Sequence, residues 1–184
     1  MRYRIQNETL IIEGNFNALS SGLLGGWRDV KWIFNHTVPE NFDMLDPIGY
    51  LRSIAETFSM DSYFGLLTSV PMEKLAVVKK DEVTAFVTAG VRNPNRPIGT
   101  INIILIVDAL PSDGAMINAV ITATEAKTAA LLELGHNFTG TNTDAVVVAR
   151  TEGKWYEYAG PASQLGEKIW DAVKKAVIES LNRW

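Results

Sequence analysis

Short apolar stretches separated by polar turns predict strands along much of the chain. Residues 3–5 and 10–12 flank a polar turn at Asn7 and Glu8, a pattern typical of a hairpin. Further strands are predicted at 30–38, 64–70, 75–78, 83–87, 99–107 and 145–150, with 155–158 as the partner of the last. The 99–107 stretch is almost entirely apolar, which indicates a strand in the middle of a sheet.

Three helices are predicted where a capping residue precedes apolar positions at helical spacing. Asp46 followed by Pro47 is a typical helix start, and Ser112 and Ser163 are suitable caps for two later helices. The helix over about 113–134 has apolar residues at nearly every angle, so we expect it to be buried. The last helix is amphipathic, and its apolar stripe could cover the sheet or mediate a homodimer.

The order of these elements predicts the fold class. Hairpins interleaved with helices, rather than strict strand–helix alternation, indicate an α+β protein. We expect a single domain over residues 1–184, with a mixed, largely antiparallel sheet packed against about three helices. An αββα sandwich is the alternative architecture.

Composition excludes several classes of function. The 184 residues include 17 Lys and Arg and 21 Asp and Glu, and this net charge of −4 argues against a nucleic-acid partner. The absence of Cys excludes disulfides, thiolate metal sites and a cysteine nucleophile. No apolar run approaches the ~20 residues of a bilayer span, and polar residues follow Arg2 and Arg4 where a targeting segment would be apolar. We therefore expect a cytoplasmic protein without a membrane partner.

Two charged residues stand out within the apolar helix over 113–134. Glu125 and Lys127 point about 160° apart on a helix, so they cannot be each other's partner. A buried charge must be paired or neutralised. The two residues are therefore either structural charges with partners elsewhere or members of a functional site.

A polar segment, TGTNTD at 139–144, runs directly into the predicted strand at 145–150. If it were extended, Thr141 and Thr143 would share one face and Asn142 and Asp144 the other. Its hydroxyls either satisfy their own backbone or form a site. The glycine-rich segment 17–26 could let backbone approach a ligand closely, although it lacks the spacing of a phosphate loop. His36 and His136 have no metal-ligand spacing, so we predict no metal site.

Seven segments, taken in their order along the chain, have sequences similar to those of one enzyme family. They are residues 19–26, 65–68, 87–93, 99–103, 122–128 (TATEAKT), 139–149 and 158–161. Together they resemble the adenosylcobinamide amidohydrolase family from about residue 19 to residue 181. The resemblance implies hydrolysis of one amide of adenosylcobinamide to adenosylcobyric acid and aminopropanol, a salvage step that returns cobinamide to coenzyme B12 synthesis. The corrinoid would be the substrate, and no cofactor is expected. Phe138 and Asn142 depart from the family pattern, which usually has Ala and Gly there.

Amide hydrolysis needs an attacking group, an oxyanion holder and a proton donor for the leaving amine. Two schemes stay open. In one, a buried carboxylate, Glu125 or Asp144, activates water and later donates the proton. In the other, a Ser or Thr hydroxyl attacks and Lys127 is the base. We predict four catalytic residues: Glu125, Asp144, Lys127 and Thr141. The predicted substrate-binding residues are Ser20, Ser21, Gly22, Thr88, Gly90, Asn93, Asn102, Thr124, Thr139 and Thr143.

Two of these residues, Asn93 and Asn102, could also supply a side-chain amide that holds the oxyanion. Backbone N–H groups of the glycine-rich turns are the other candidates. Two competing functions remain: a corrinoid carrier or sensor without turnover, and an amidase for a different substrate.

Overall fold

The computed structural model describes residues 1–40, 42, 45–91 and 99–184. The helices are α1 (Pro47–Thr57), α2 (Asp113–Glu133) and α3 (Gln164–Leu181), and a short 3₁₀ turn covers Met72–Lys74. The main sheet contains β1 (Arg2–Gln6), β2 (Thr9–Ser20), β3 (Gly26–Thr37), β4 (Tyr63–Thr68), β5 (Ala76–Lys80), β6 (Val83–Ala89), β7 (Ile101–Val107) and β9 (Ala145–Arg150). Two short strands, β8 (Leu110–Pro111) and β10 (Trp155–Tyr156), pair separately.

The main sheet is continuous, in the order β4-β3-β2-β9-β7-β6-β5, with β1 added to β2. The β3–β4 and β7–β9 pairs are parallel, and the other described pairs of this sheet are antiparallel. The prediction of an α+β fold with a mixed, largely antiparallel sheet and three helices is therefore confirmed. The two sheet layers of the αββα alternative are present as the two halves of this one continuous sheet.

The sheet curves so that its two halves face each other across a shared core. Leu10, Ile33 and Phe64 from one half pack with Phe86 and Ile104 from the other. A register shift between Glu13 and Phe16 interrupts the long β2–β3 ladder, and such a bulge bends the strand locally. Outside this core, α1 packs on β2–β4, while α2 and α3 pack on β5–β7 and β9.

Local signals placed the helix starts correctly. Asp46 accepts a hydrogen bond from the backbone N–H of Gly49, and Ser112 and Ser163 cap α2 and α3 in the same way. The apolar stripe of α3 is buried against the sheet and α2, so this stripe covers the sheet. In the described part of the chain, no helix combines the length and apolar character needed to cross a membrane.

Three local expectations were wrong. The glycine-rich segment is shorter than 17–26, because residues 17–20 continue β2 and pair with both β3 and β9. β10 pairs with β8 rather than with β9. Helix α2 is buried on one side only, and Ile117, Ile121 and Leu132 are each about half exposed. Its buried face is rich in Ala, which lets the helix backbone lie close to α3 and β9 and leaves the larger aliphatic residues outside.

The environment of His36 is expected to make the stability of the fold depend on pH. Its ring in β3 lies between Thr9 Oγ1, 2.8 Å from Nδ1, and the Tyr50 hydroxyl, 3.1 Å from Nε2. Burial lowers the pKa of His36 below its ordinary value, and the charge of Glu8 opposes this only in part. The folded state therefore binds fewer protons at this residue than the unfolded state.

We accordingly expect the free energy of unfolding to fall as pH drops below about 6.5, the ordinary His pKa, because protonation then favours the unfolded chain. Urea denaturation at pH 7.5 and 5.5 measures this loss. A His36→Gln variant should lose less stability over the same interval. An equal loss in the two proteins would contradict the assignment.

Candidate active site

The polar segment before β9 is folded around the carboxylate of Asp144. Oδ1 accepts hydrogen bonds from the backbone N–H of Ile101 (2.8 Å) and from Thr141 Oγ1 (2.6 Å). Oδ2 accepts from Lys127 Nζ (2.6 Å) and from the backbone N–H of Thr141 (3.0 Å). Four donors thus occupy the four lone-pair positions of one carboxylate. The segment is a tight turn, so the extended conformation considered for it is wrong.

Lys127 reaches this carboxylate from the buried face of α2. The side chains of Lys127 and Asp144 are only 9% and 11% exposed, so their ion pair is largely shielded from water. Removing either member would leave a charge without its partner in a poorly hydrated place, which is strongly destabilising. As expected from helix geometry, the partner of Lys127 is a residue other than Glu125.

The close packing of the turn over the Lys127–Asp144 ion pair requires glycine at position 140. The sequence alone did not indicate this role. A Cβ atom built on Gly140 would lie 2.5 Å from both Asp144 Oδ2 and Lys127 Nζ. That distance is a steric overlap with the two charged atoms. The glycine therefore lets the turn close directly over the ion pair.

A Gly140→Ala substitution is expected to lower the free energy of unfolding by about 2 kcal/mol, the typical cost of overpacking. The loss should appear as a lower midpoint in urea denaturation. Gly160→Ala is the matched control, because a Cβ on Gly160 meets nothing within 4 Å. If both variants had the stability of the wild type, the close packing over the ion pair would be refuted.

The turn after β2 is attached to the beginning of β9, next to Asp144. The backbone N–H of Ser21 donates to the Val146 carbonyl, and the Val146 N–H donates to Ser21 Oγ, each at 3.0 Å. Ser20 Oγ accepts from the Gly22 N–H at 3.1 Å. A Cβ on Gly22 would lie 2.4 Å from Leu66 Cδ2, so a larger residue there would displace the Leu66 side chain. The predicted residues Ser20, Ser21 and Gly22 therefore border the Asp144 turn.

A second polar cluster lies between the two halves of the curved sheet, on its inner face. Asn35 Nδ2 donates to Thr88 Oγ1, and Asn102 Nδ2 donates to Asn35 Oδ1 and to the Leu67 carbonyl, all at 2.9 Å. Both N–H groups of Asn102 are therefore already used. The expectation that this amide could donate to an oxyanion was wrong. Asn35 was not singled out, although a lone amide in the apolar run of β3 is the signal that could have found it.

Thr143 connects the Asp144 turn to the residues just before β7. Its hydroxyl lies 2.9 Å from the hydroxyl of Thr100, which is buried just before β7. Thr143 itself is exposed and directly precedes Asp144. The edge of the sheet formed by the starts of β7 and β9 thus presents hydroxyl groups beside the ion pair.

Of the other predicted residues, Gly90 adjoins this edge, because its backbone N–H donates to the Thr100 carbonyl at 3.2 Å. Glu125 is exposed and borders an open groove with Pro161 and Trp170, so its expected burial was wrong. Thr124 and Thr139 are also exposed, and the Thr124 hydroxyl donates to its own helix at Val120. Gly90 follows β6 and packs against the Trp184 ring. Asn93 lies outside the described residues. Within the described ranges, no three His, Asp or Glu side chains are grouped as metal ligands.

Comparison with known proteins agrees with the resemblance drawn from the sequence. The family model of adenosylcobinamide amidohydrolase matches residues 2–184. A protein of Methanosarcina mazei named adenosylcobinamide amidohydrolase is 45% identical, over 96% of each chain. A protein of that name from Halobacterium salinarum is 32% identical over 89% of this chain and 79% of its own. An uncharacterized protein of Methanocaldococcus jannaschii is 33% identical over 96% of this chain and 86% of its own. The chain therefore belongs to the adenosylcobinamide amidohydrolase family.

Proposed function

We propose that the protein hydrolyses the amide of adenosylcobinamide, releasing adenosylcobyric acid and aminopropanol for corrinoid salvage. The family match supports this activity. The observation that supports its location is the Asp144 carboxylate, which lies 2.6 Å from both the Thr141 hydroxyl and the Lys127 ammonium. These residues belong to two of the segments that carry the family resemblance.

We propose Thr141 as the attacking group and Asp144 as its base. A scheme in which Asp144 activates water requires a free lone pair, yet each of its oxygens already accepts two hydrogen bonds. Of the four donors, Thr141 Oγ1 combines a transferable proton with a nucleophilic oxygen. It is also only half-buried, so a substrate can approach it. This arrangement favours the hydroxyl scheme, with Asp144 rather than Lys127 as the proton acceptor.

The reaction then proceeds in two halves. Thr141 Oγ1 bonds to the amide carbon while its proton moves to Asp144 Oδ1. The carbon–nitrogen bond breaks, and the departing nitrogen takes that proton, so that aminopropanol leaves and an ester remains on Thr141. Thr141 no longer donates to Asp144 Oδ1 once it carries the ester, so water can use that lone pair: it attacks the ester carbon and gives its proton to Asp144. The ester bond breaks, Thr141 regains a proton, and adenosylcobyric acid is released.

The positive charge of Lys127 assists both halves of the reaction. Its ammonium is held beside Asp144 in a site with little water, where a fixed charge stabilises developing negative charge more strongly than it would in solution. We assign Ser20, Ser21, Gly22, Thr88, Gly90, Asn102 and Thr143 to substrate binding around this edge.

The proposed reaction uses no metal in any step, and Asp144 has no free lone pair with which to bind one. We further propose a cytoplasmic protein without a nucleic-acid partner, consistent with its net charge of −4. Homodimer formation stays a prediction.

Liquid chromatography with mass spectrometry tests this function. Purified protein mixed with adenosylcobinamide should release adenosylcobyric acid and aminopropanol in equal amounts, with or without a chelator. Tight binding without either product would contradict hydrolysis and favour the carrier. Turnover of another amide that cobinamide does not inhibit would favour the different amidase. Loss of product only with the chelator would contradict the metal-free scheme.

A further inference from the structure

We infer that Asn102 Oδ1 accepts a hydrogen bond from an amide N–H of the substrate. Asn102 is only 1% exposed, and its Oδ1 has no hydrogen-bond partner among the described residues. A buried carbonyl oxygen without a donor is costly, and most such groups in native proteins are satisfied. This inference rests on the proposed function, which supplies a ligand with amide donors.

The orientation of the Asn102 amide is fixed by its partners. The Leu67 carbonyl can only accept a hydrogen bond, so the Asn102 atom facing it at 2.9 Å must be the nitrogen. That nitrogen also donates to Asn35 Oδ1, which leaves the Asn35 nitrogen to donate to Thr88. Flipping the Asn102 amide would place its oxygen against two acceptors. The unpaired atom is therefore an acceptor, and its ligand must be a donor.

The surroundings favour a neutral donor over a cation. Asn35, Thr88 and the nearby Thr100 are buried and uncharged. An ammonium group brought to Asn102 would find no negative partner in this cluster, and burying an unpaired charge is expensive. An amide N–H carries no net charge and is satisfied by one carbonyl oxygen. The site therefore suits a carboxamide.

The position of Asn102 links it to the proposed chemistry. It pairs in register with Ala145, the residue that follows Asp144, and with Thr88 on the other side. Asn102 packs on the inner face of the sheet, whereas Lys127 approaches Asp144 from the helix side. A corrinoid with its scissile amide at Thr141 would lie beside Asn102, and its N–H donor reaches Asn102 Oδ1 when the two sheet halves separate locally, because Asn102 is 1% exposed. The donor is either the scissile amide itself or a peripheral amide of the macrocycle.

Asn102→Ala tests the inference, with Thr84→Val as the matched control. Thr84 Oγ1 is also buried without a partner, but it lies four residues from Thr88 along β6. We expect Asn102→Ala to raise the KM for adenosylcobinamide about tenfold, the range for one lost buried hydrogen bond, while Thr84→Val leaves KM unchanged. A folded Asn102→Ala protein with wild-type KM would overturn the inference. The proposed function itself fails only if the wild type releases no product.

Two further measurements identify the donor and guard against misfolding. If the inhibition constant of the product, adenosylcobyric acid, also rises in Asn102→Ala, the donor is a peripheral amide; if only the substrate KM rises, it is the scissile amide. The second test uses the wild-type protein and a corrinoid in which methyl esters replace the peripheral amides. Such a corrinoid has no peripheral N–H group to donate to Asn102 Oδ1. With a peripheral donor we expect this ester to bind at least tenfold more weakly than the product. Equal binding of ester and product, together with an unchanged substrate KM in Asn102→Ala, would overturn the inference.

Discussion

An Asp144→Asn variant is expected to lose about a thousandfold in kcat for adenosylcobinamide while binding it within a few-fold of the wild type. Asparagine has nearly the same shape, but it cannot take the proton of Thr141 Oγ1, and it leaves the Lys127 ammonium without its charged partner. Product release measured over time gives kcat, and the visible absorbance of the corrinoid gives the dissociation constant.

Glu125→Gln is the matched control for this experiment, because it also neutralises a carboxylate in a segment that carries the family resemblance. Glu125 is exposed on α2, so its variant should keep kcat within a few-fold of wild type. Thermal unfolding of both variants separates lost chemistry from lost structure. Loss of activity in Glu125→Gln, with Asp144→Asn still active, would place the reaction at the groove between α2 and α3.

A Thr141→Val variant is expected to lose about 10⁴-fold in kcat, since removal of a catalytic nucleophile has effects of at least this size. Valine keeps the branched shape and the backbone N–H that donates to Asp144 Oδ2. Thr141→Ser restores the hydroxyl and should recover part of the activity. The measurement is product release under substrate saturation.

Thr139→Val is the control for the same loop, because Thr139 is exposed two residues earlier. It should retain kcat within a few-fold of wild type. Substantial turnover by a folded Thr141→Val protein would rule out the hydroxyl scheme. Attack by water, with Asp144 as general base, would then be the remaining mechanism at this site.

Local sequence signals predicted most of the fold, because they act over a few residues. The polar turn at Asn7 and Glu8, both with positive φ, the cap at Asp46 and the cap at Ser112 are examples. The errors concern non-local pairing. No local feature of residues 17–20 indicates that this end of β2 will pair with β9. The short strand β10 likewise has no local feature that selects β8 as its partner.

The candidate site was predictable only in part, because some of its residues are defined by contacts with distant parts of the chain. Helix geometry separated Glu125 from Lys127, but it could not decide which of them faces the sheet, since apolar residues occur on both sides. The small size of Ala119, Ala123 and Ala126 settles it in the structure, because close packing needs the alanine face. Gly140 and Asn35 were missed, since their roles depend on atoms that arrive from other elements.

A crystal structure of the Asp144→Asn variant with adenosylcobinamide bound tests the central claim most directly. We predict that the carbonyl carbon of the scissile amide lies about 3.5 Å or less from Thr141 Oγ1, the distance of a near-attack arrangement. The same structure should place an amide N–H of the corrinoid against Asn102 Oδ1. A corrinoid bound with its scissile amide beside Glu125 in the groove between α2 and α3, far from Thr141, would contradict the account.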